Sequence, residues 1–87
     1  MIIFEWDENK NLTNKKKHGI SFDEILAVFS DDNAIIFDDP ELLILGMNSD
    51  YNVYVGCHCY RMDNDTIRII TARRANIKEV DYYDRQL

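Results

Sequence analysis

The order and spacing of residues in this 87-residue chain predict an α+β fold: an N-terminal strand, two helices, a four-strand antiparallel meander and a C-terminal helix packed on the sheet. Three features carry the prediction. Phe22, Ile25, Leu26 and Phe29 recur at i, i+3, i+4 and i+7, the stripe of a helix that lies on a sheet. From Ala34 onwards the apolar residues fall into short continuous or alternating runs, as strands do. Helix-capping residues stand where one pattern gives way to the next.

Ile2 to Trp6 mixes apolar and aromatic residues as a short strand, and Asp7 can cap the helix that follows. From Asp7 to about His18 the segment is polar, with Leu12 as nearly its sole apolar side chain, so a surface helix is expected. Its basic last turn suits the negative end of the helix dipole. Gly19 supplies the left-handed residue that stops a helix, and Ser21 with Glu24 has the spacing of a capping box opening the second. Ala34–Phe37, Leu42–Met47, Val53–Tyr60 and Thr66–Ala72 read as strands. Asp38-Asp39-Pro40, Asn48-Ser49-Asp50 and Met62-Asp63-Asn64-Asp65 separate them as turns, so consecutive strands should form hairpins. Asn76 and Glu79 open the last helix, with Ile77, Val80, Tyr83 and Leu87 as its narrow apolar edge.

A chain this short buries roughly 60% of its unfolded surface, enough for one core, and residues 1–87 are read as a single domain. The 46% hydrophobic content argues against disorder, and no apolar run approaches the roughly 20 residues that span a bilayer. No export signal is visible, so a cytoplasmic protein without membrane partners is expected. Cys57 and Cys59 flank His58 without a second ligand pair, so reduced thiols, no metal and no cofactor are expected. The net charge of -6 is unevenly spread. Between Gly19 and Tyr60 stand Asp23, Glu24, Asp31, Asp32, Asp38, Asp39, Glu41 and Asp50, with no Lys or Arg. The bases cluster instead at Lys10 and Lys15–Lys17, and again at Arg61, Arg68, Arg73, Arg74 and Lys78. If folding joins the clusters, one face is cationic and can steer a polyanion; if not, they are solvated charges.

Phosphate loops, zinc-protease helices and nucleophile elbows are absent. His18 at a helix end can relay a proton near neutral pH, or simply cap the last carbonyls. Asp63-Asn64-Asp65 opens like a calcium loop, but Arg68 and Arg74 stand where Gly and Glu are needed, so it reads as a turn. Tyr51, Tyr54 and Tyr60 suit packing better than base stacking. Strict alternation in the last strand puts Ile67, Ile69 and Thr71 on one face and Arg68, Ile70 and Ala72 on the other. Arg73 and Arg74 then serve one site only if the strand ends near Ala72. Their guanidinium groups suit a phosphate that gains charge in its transition state.

Phe4-Glu5-Trp6-Asp7, Asn14 through Lys17-His18-Gly19-Ile20-Ser21-Phe22, Val28-Phe29, Gly46-Met47 and Ile67-Arg68-Ile69-Ile70-Thr71-Ala72-Arg73 resemble the BrnT toxins over nearly the whole chain. The resemblance implies a fold similar to RelE and a type II toxin that cuts RNA without metal and blocks translation. Its implied partner is a BrnA-like antitoxin that reaches operator DNA through a ribbon-helix-helix region, with room for a homodimer within the complex. On this footing Lys17, His18, Arg68 and Arg73 are the expected catalytic residues, and Lys15, Lys16, Arg61 and Arg74 guide RNA. Glu41 stands where relatives often have Arg, and after Glu79 the residues Val80 and Asp81 stand where they commonly carry bases, which leaves a catalytically weakened, antitoxin-binding module as the alternative.

Overall fold

The expected elements appear in the expected order: β1 (Ile3–Glu5), α1 (Glu8–His18), α2 (Phe22–Ile25), β2 (Ile35–Phe37), β3 (Leu43–Met47), β4 (Val53–Tyr60), β5 (Thr66–Arg74) and α3 (Ile77–Arg85). The computed structural model describes residues 2–38, 42–61 and 65–87. Asp39, Pro40 and Glu41 of the first expected turn, and Met62, Asp63 and Asn64 of the third, lie outside the described residues. The strands form one 5-stranded sheet in the order β1-β5-β4-β3-β2. The segments β2 to β5 are the antiparallel meander, and β1 joins its edge parallel to β5, with Ile3 opposite Thr66 and Glu5 opposite Arg68.

The caps form as their chemistry requires. Asp7 Oδ1 accepts the Asn9 and Lys10 N–H groups at 2.8 and 3.3 Å, and Gly19, at φ 77°, donates its N–H to the Lys15 carbonyl at 2.8 Å. Ser21 N–H donates to Glu24 at 2.6 Å. Asn76 N–H donates to Glu79 Oε1 at 2.8 Å while Asn76 Oδ1 accepts the Glu79 N–H at 2.8 Å, a complete capping box.

The second helix departs from expectation: after one α turn it tightens, and Leu26–Ser30 is a 3-10 helix. The residues fully buried are therefore Phe22, Ile25 and Val28, three apart, while Leu26 and Phe29 are half-buried. This follows from three residues per turn in place of 3.6. Close packing beneath is bought with glycine, since a Cβ on Gly46 would lie 2.6 Å from Val28 Cγ1 and one on Gly56 2.9 Å from Ile25 Cγ1.

The first helix lies on the surface as expected, and its inward face is polar. Leu12 is 56% exposed, and the face turned inward carries Asn11 and Asn14. Asn11 Oδ1 accepts the Phe22 N–H at 2.7 Å, tying α1 to the start of α2. Asn14 Nδ2 donates to the carbonyls of Ala72 (2.7 Å) and Ile20 (3.1 Å), and its Oδ1 accepts the Ala72 N–H at 3.1 Å. Because β1 pairs only with Thr66–Arg68, the edge of β5 away from β4 has no strand neighbour at Ala72. The Asn14 amide takes that neighbour's place.

One sheet face packs under α2 through Ile20, Phe22, Ile25, Val28, Ile44, Tyr54, Ile67, Ile69 and Ala72. The other carries Leu45, Val55 and Tyr83, with Ile35, Phe37, Leu43, Met47, Val53 and Ala75 around them. Tyr83 anchors α3 here: its hydroxyl donates to Asp31 Oδ2 at 2.5 Å, and the Met47 N–H donates to the same oxygen at 2.8 Å. Burial works to raise the Asp31 pKa, but these bonds and one from Asn33 N–H outweigh it and hold the carboxyl below its ordinary value. Burial, aided by Asp31, pushes Tyr83 up to about 12. Ile77 and Leu87, expected on the apolar edge of α3, are 89% and 68% exposed. Tyr54 is buried as expected, but Tyr51 and Tyr60 are exposed.

Cys57 faces Thr71 and His58 faces Ile69, so Ile70 is an extra residue in β5, a bulge. The bulge reverses the alternation beyond it, which is why Ala72 joins Ile67 and Ile69 in the core while Thr71 is exposed. The strand also runs through the expected break at Ala72 to Arg74. His58 is 2% exposed between the rings of Phe29 and Tyr60, at centroid distances of 5.0 and 5.6 Å. Neither of its ring nitrogens has a hydrogen-bond partner among the described residues.

Candidate nucleic-acid interface

The sequence ends α1 at Gly19, and the Asn14 amide fastens that end of the helix to the open edge of β5. Between them lies a cleft of 370 Å³ lined by Lys10, Thr13, Lys17 and His18 on the helix and by Ile70 and Thr71 on the strand. The spacing 10, 13, 17 puts those residues on one helical face, and 14, 18 adds the neighbouring row. The bulge presents the strand side of the cleft, since Ile70 is the unpaired residue and Thr71 the exposed one after it. Two ammonium groups, an imidazole and two threonine residues thus line a space large enough for a nucleotide's phosphate and sugar. Lys10 was not among the expected site residues; its seven-residue spacing from Lys17 was the available signal.

The expected catalytic residues divide between this cleft and the sheet beside it. Lys17 and His18 line the cleft. Arg68 and Arg73 do not. They stand on β5 on either side of Thr71, and the bulge turns both toward the sheet face that α3 covers in part, whereas strict alternation would have set them on opposite faces. Arg68 Nη1 lies 2.6 Å from Glu5 Oε2, and Arg61 Nε lies 3.9 Å from Glu5 Oε1, so Glu5 joins two of the expected cations. Arg73 forms a two-pronged pair with Glu79, at 2.7 and 2.9 Å. The bond to Glu79 raises the Arg73 pKa, and the reciprocal bond lowers that of Glu79 against the opposing effect of burial. The N-terminal box of α3 is thereby also the clamp on Arg73.

The remaining cations point elsewhere. Arg74 is exposed with its guanidinium carbon 5.7 Å from the Tyr54 ring centroid, on the face away from Arg73. Since β5 continues through Ala72 without a turn, Arg73 and Arg74 are divided between the two faces. Lys15 and Lys16 line a separate depression with Leu12 and Thr13. Sequence reasoning missed Glu5 and Glu79 as partners of these arginines, because both contacts join elements distant in the chain or across a loop.

A five-stranded mixed sheet with α1 and α2 before the meander, α3 after it and a cationic cleft at the α1–β5 junction defines the class: a small α+β domain with a basic cleft at one sheet edge. Residues 6–79 match the family described as ribonuclease toxin, BrnT, of type II toxin-antitoxin system. The chain belongs to this BrnT family. Among solved structures it is similar to the ribonuclease toxin BrnT of Brucella abortus, with a TM-score of 0.69 and 21% identity over 87% of this chain and 99% of that one. At that identity the likeness is one of fold. No curated protein matches the chain. Among the described residues no helix is long and apolar enough to cross a membrane.

Proposed function

We propose that the chain is a metal-independent endoribonuclease that arrests translation by cutting RNA and is neutralised by a BrnA-like antitoxin, whose ribbon-helix-helix region carries the complex to operator DNA. The observation that carries this reading is the cleft in which Lys17 and His18 face the bulged edge of β5 beyond β1. In such a cleavage the ribose 2′-oxygen attacks the adjacent phosphorus, the bond to the 5′-oxygen breaks and a 2′,3′-cyclic phosphate remains. A base takes the 2′-hydroxyl proton and an acid returns one to the leaving 5′-oxygen. His18 and Lys17 are the proton carriers in this scheme. Arg73, two residues past Thr71, offsets charge on the phosphorane, and Arg68 and Arg61 hold the strand toward the other side. Lys15, Lys16 and Arg74 guide more distant phosphates.

The test is cleavage of total RNA by the purified chain in excess chelator. His18→Ala should lower the rate by about 10²- to 10⁴-fold with an unchanged melting midpoint, and should relieve growth arrest when the chain is expressed alone. Loss of cleavage in chelator, or full activity without the imidazole, would overturn the scheme. One observation favours the second reading, a binding module without catalysis: Arg68 and Arg73 are each already held by a carboxylate. In that case the unaltered chain leaves RNA intact and still binds its antitoxin.

A further inference from the structure

The edge of the sheet opposite the cleft has a distinct chemistry. The strand β2 pairs only with β3, and its sequence Ile35-Ile36-Phe37 contains neither the Lys nor the Pro that commonly blunts an edge strand. Ile36 is 50% exposed. Asp32 and Asp38 are exposed at either end of the strand, inside the stretch from Gly19 to Tyr60 that holds no Lys or Arg. Beside the strand, a groove of 290 Å³ opens under α3, walled by Phe37, Leu43, Val55 and Tyr82, with Lys78 and Glu79 on its α3 rim.

We propose that this edge is the docking site for an extended, basic segment of the antitoxin, which adds to the sheet alongside β2. Backbone hydrogen bonds to the open edge supply the register, alternate apolar side chains enter the groove on the α3 face, and the Lys or Arg residues between them lay their stems over Ile36 on the opposite face and meet Asp32 and Asp38. Charge selects the occupant. A second copy of the chain would bring two acidic edges together, and RNA would meet carboxylates. The site is also remote from the cleft: β2 and β5 are three strand spacings apart, roughly 14 Å. Only the identity of the partner as an antitoxin rests on the function proposed above; the surface and the chemistry it demands do not.

The full chain is titrated with a blocked heptapeptide of alternating Lys and Val, and separately with its Glu–Val counterpart, while backbone amide resonances are followed. The Lys–Val peptide should shift Ile35, Ile36 and Phe37, and the Glu–Val peptide should not. The double substitution Asp32→Lys, Asp38→Lys should weaken binding about tenfold, as added salt should. Equal affinity for both peptides, shifts centred on Ile70 and Thr71, or an unaltered affinity in the double variant would overturn the proposal. So would a dimer in sedimentation that Ile36→Lys dissolves, which would assign the edge to a second copy. RNA cleavage is measured on the same samples and should be equal in the double variant and the unaltered chain. Failure of both to cut RNA would count against the nuclease, and the peptide titration would still decide the docking surface.

Discussion

Replacing Asn14 by Ala tests the joint on which both fold and cleft depend. The side chain is 6% exposed and makes hydrogen bonds to three backbone groups, the N–H and C=O of Ala72 and the C=O of Ile20. Each buried group left without a partner costs about 1–3 kcal/mol, and water entering the vacated space recovers part of this, so the expected loss is about 3–5 kcal/mol. A domain of 87 residues at about 0.05–0.15 kcal/mol per residue has roughly 4–13 kcal/mol in all. The variant should therefore be severely weakened. Equilibrium urea unfolding measures it directly, and the midpoint should fall with little change in slope. Asn14→Asp is the sharper probe, because it keeps the shape and the acceptor for Ala72 N–H but turns a carboxylate oxygen toward two carbonyls. It should cost at least as much as the alanine. A loss below about 1 kcal/mol for Asn14→Ala would show that the open edge of β5 finds partners elsewhere, and the reasoning would fail.

Gly46→Ala should cost about 1–3 kcal/mol by denaturant unfolding, because its Cβ would meet Val28 at 2.6 Å and also crowd Ala34 and Asp31 at 3.2 Å. His58 gives a pH dependence. Burial holds its imidazole below the ordinary value of 6.5, opposed by a weak interaction with the Gly56 backbone that falls short of hydrogen-bond geometry. A depressed folded pKa means that stability is full above 6.5 and is lost as the pH falls through the lower folded value. His58→Phe should flatten that part of the stability–pH curve, and an unchanged curve would remove His58 as its cause.

Much of the architecture was readable in the chain because the signals are local. Asp7, Gly19, Ser21 with Glu24, and Asn76 with Glu79 act within a few residues of themselves, and each forms the cap or stop its chemistry implies. The meander likewise follows from short apolar runs joined by turn residues. The buried face of α1 was not readable in this way, since Asn11 and Asn14 are polar and a hydrophobicity pattern points to Leu12 instead. Nor was the 3-10 continuation of α2, where the choice between i+3 and i+4 spacing is made by the close approach of Val28 to Gly46 in the sheet. For the candidate site, the grouping of Lys17 with His18 was legible from helix geometry. The clamps Glu5–Arg68 and Glu79–Arg73 were not.

What this sequence determined alone is the kind and order of its elements, together with the acidic middle and basic ends of its charge pattern. Packing decided the rest. Parallel pairing of β1 with only the first residues of β5 leaves the outer edge of the upper part of β5 open, and the orphaned backbone groups there draw in Asn14 and with it Lys17 and His18. One extra residue at Ile70 then reverses the side-chain faces beyond it and sets Arg68 and Arg73 on the same side of the sheet. A bulge and a strand-edge substitute are settled by which backbone donors and acceptors remain unpaired once the sheet has formed. Residue patterns read along the chain do not contain that balance.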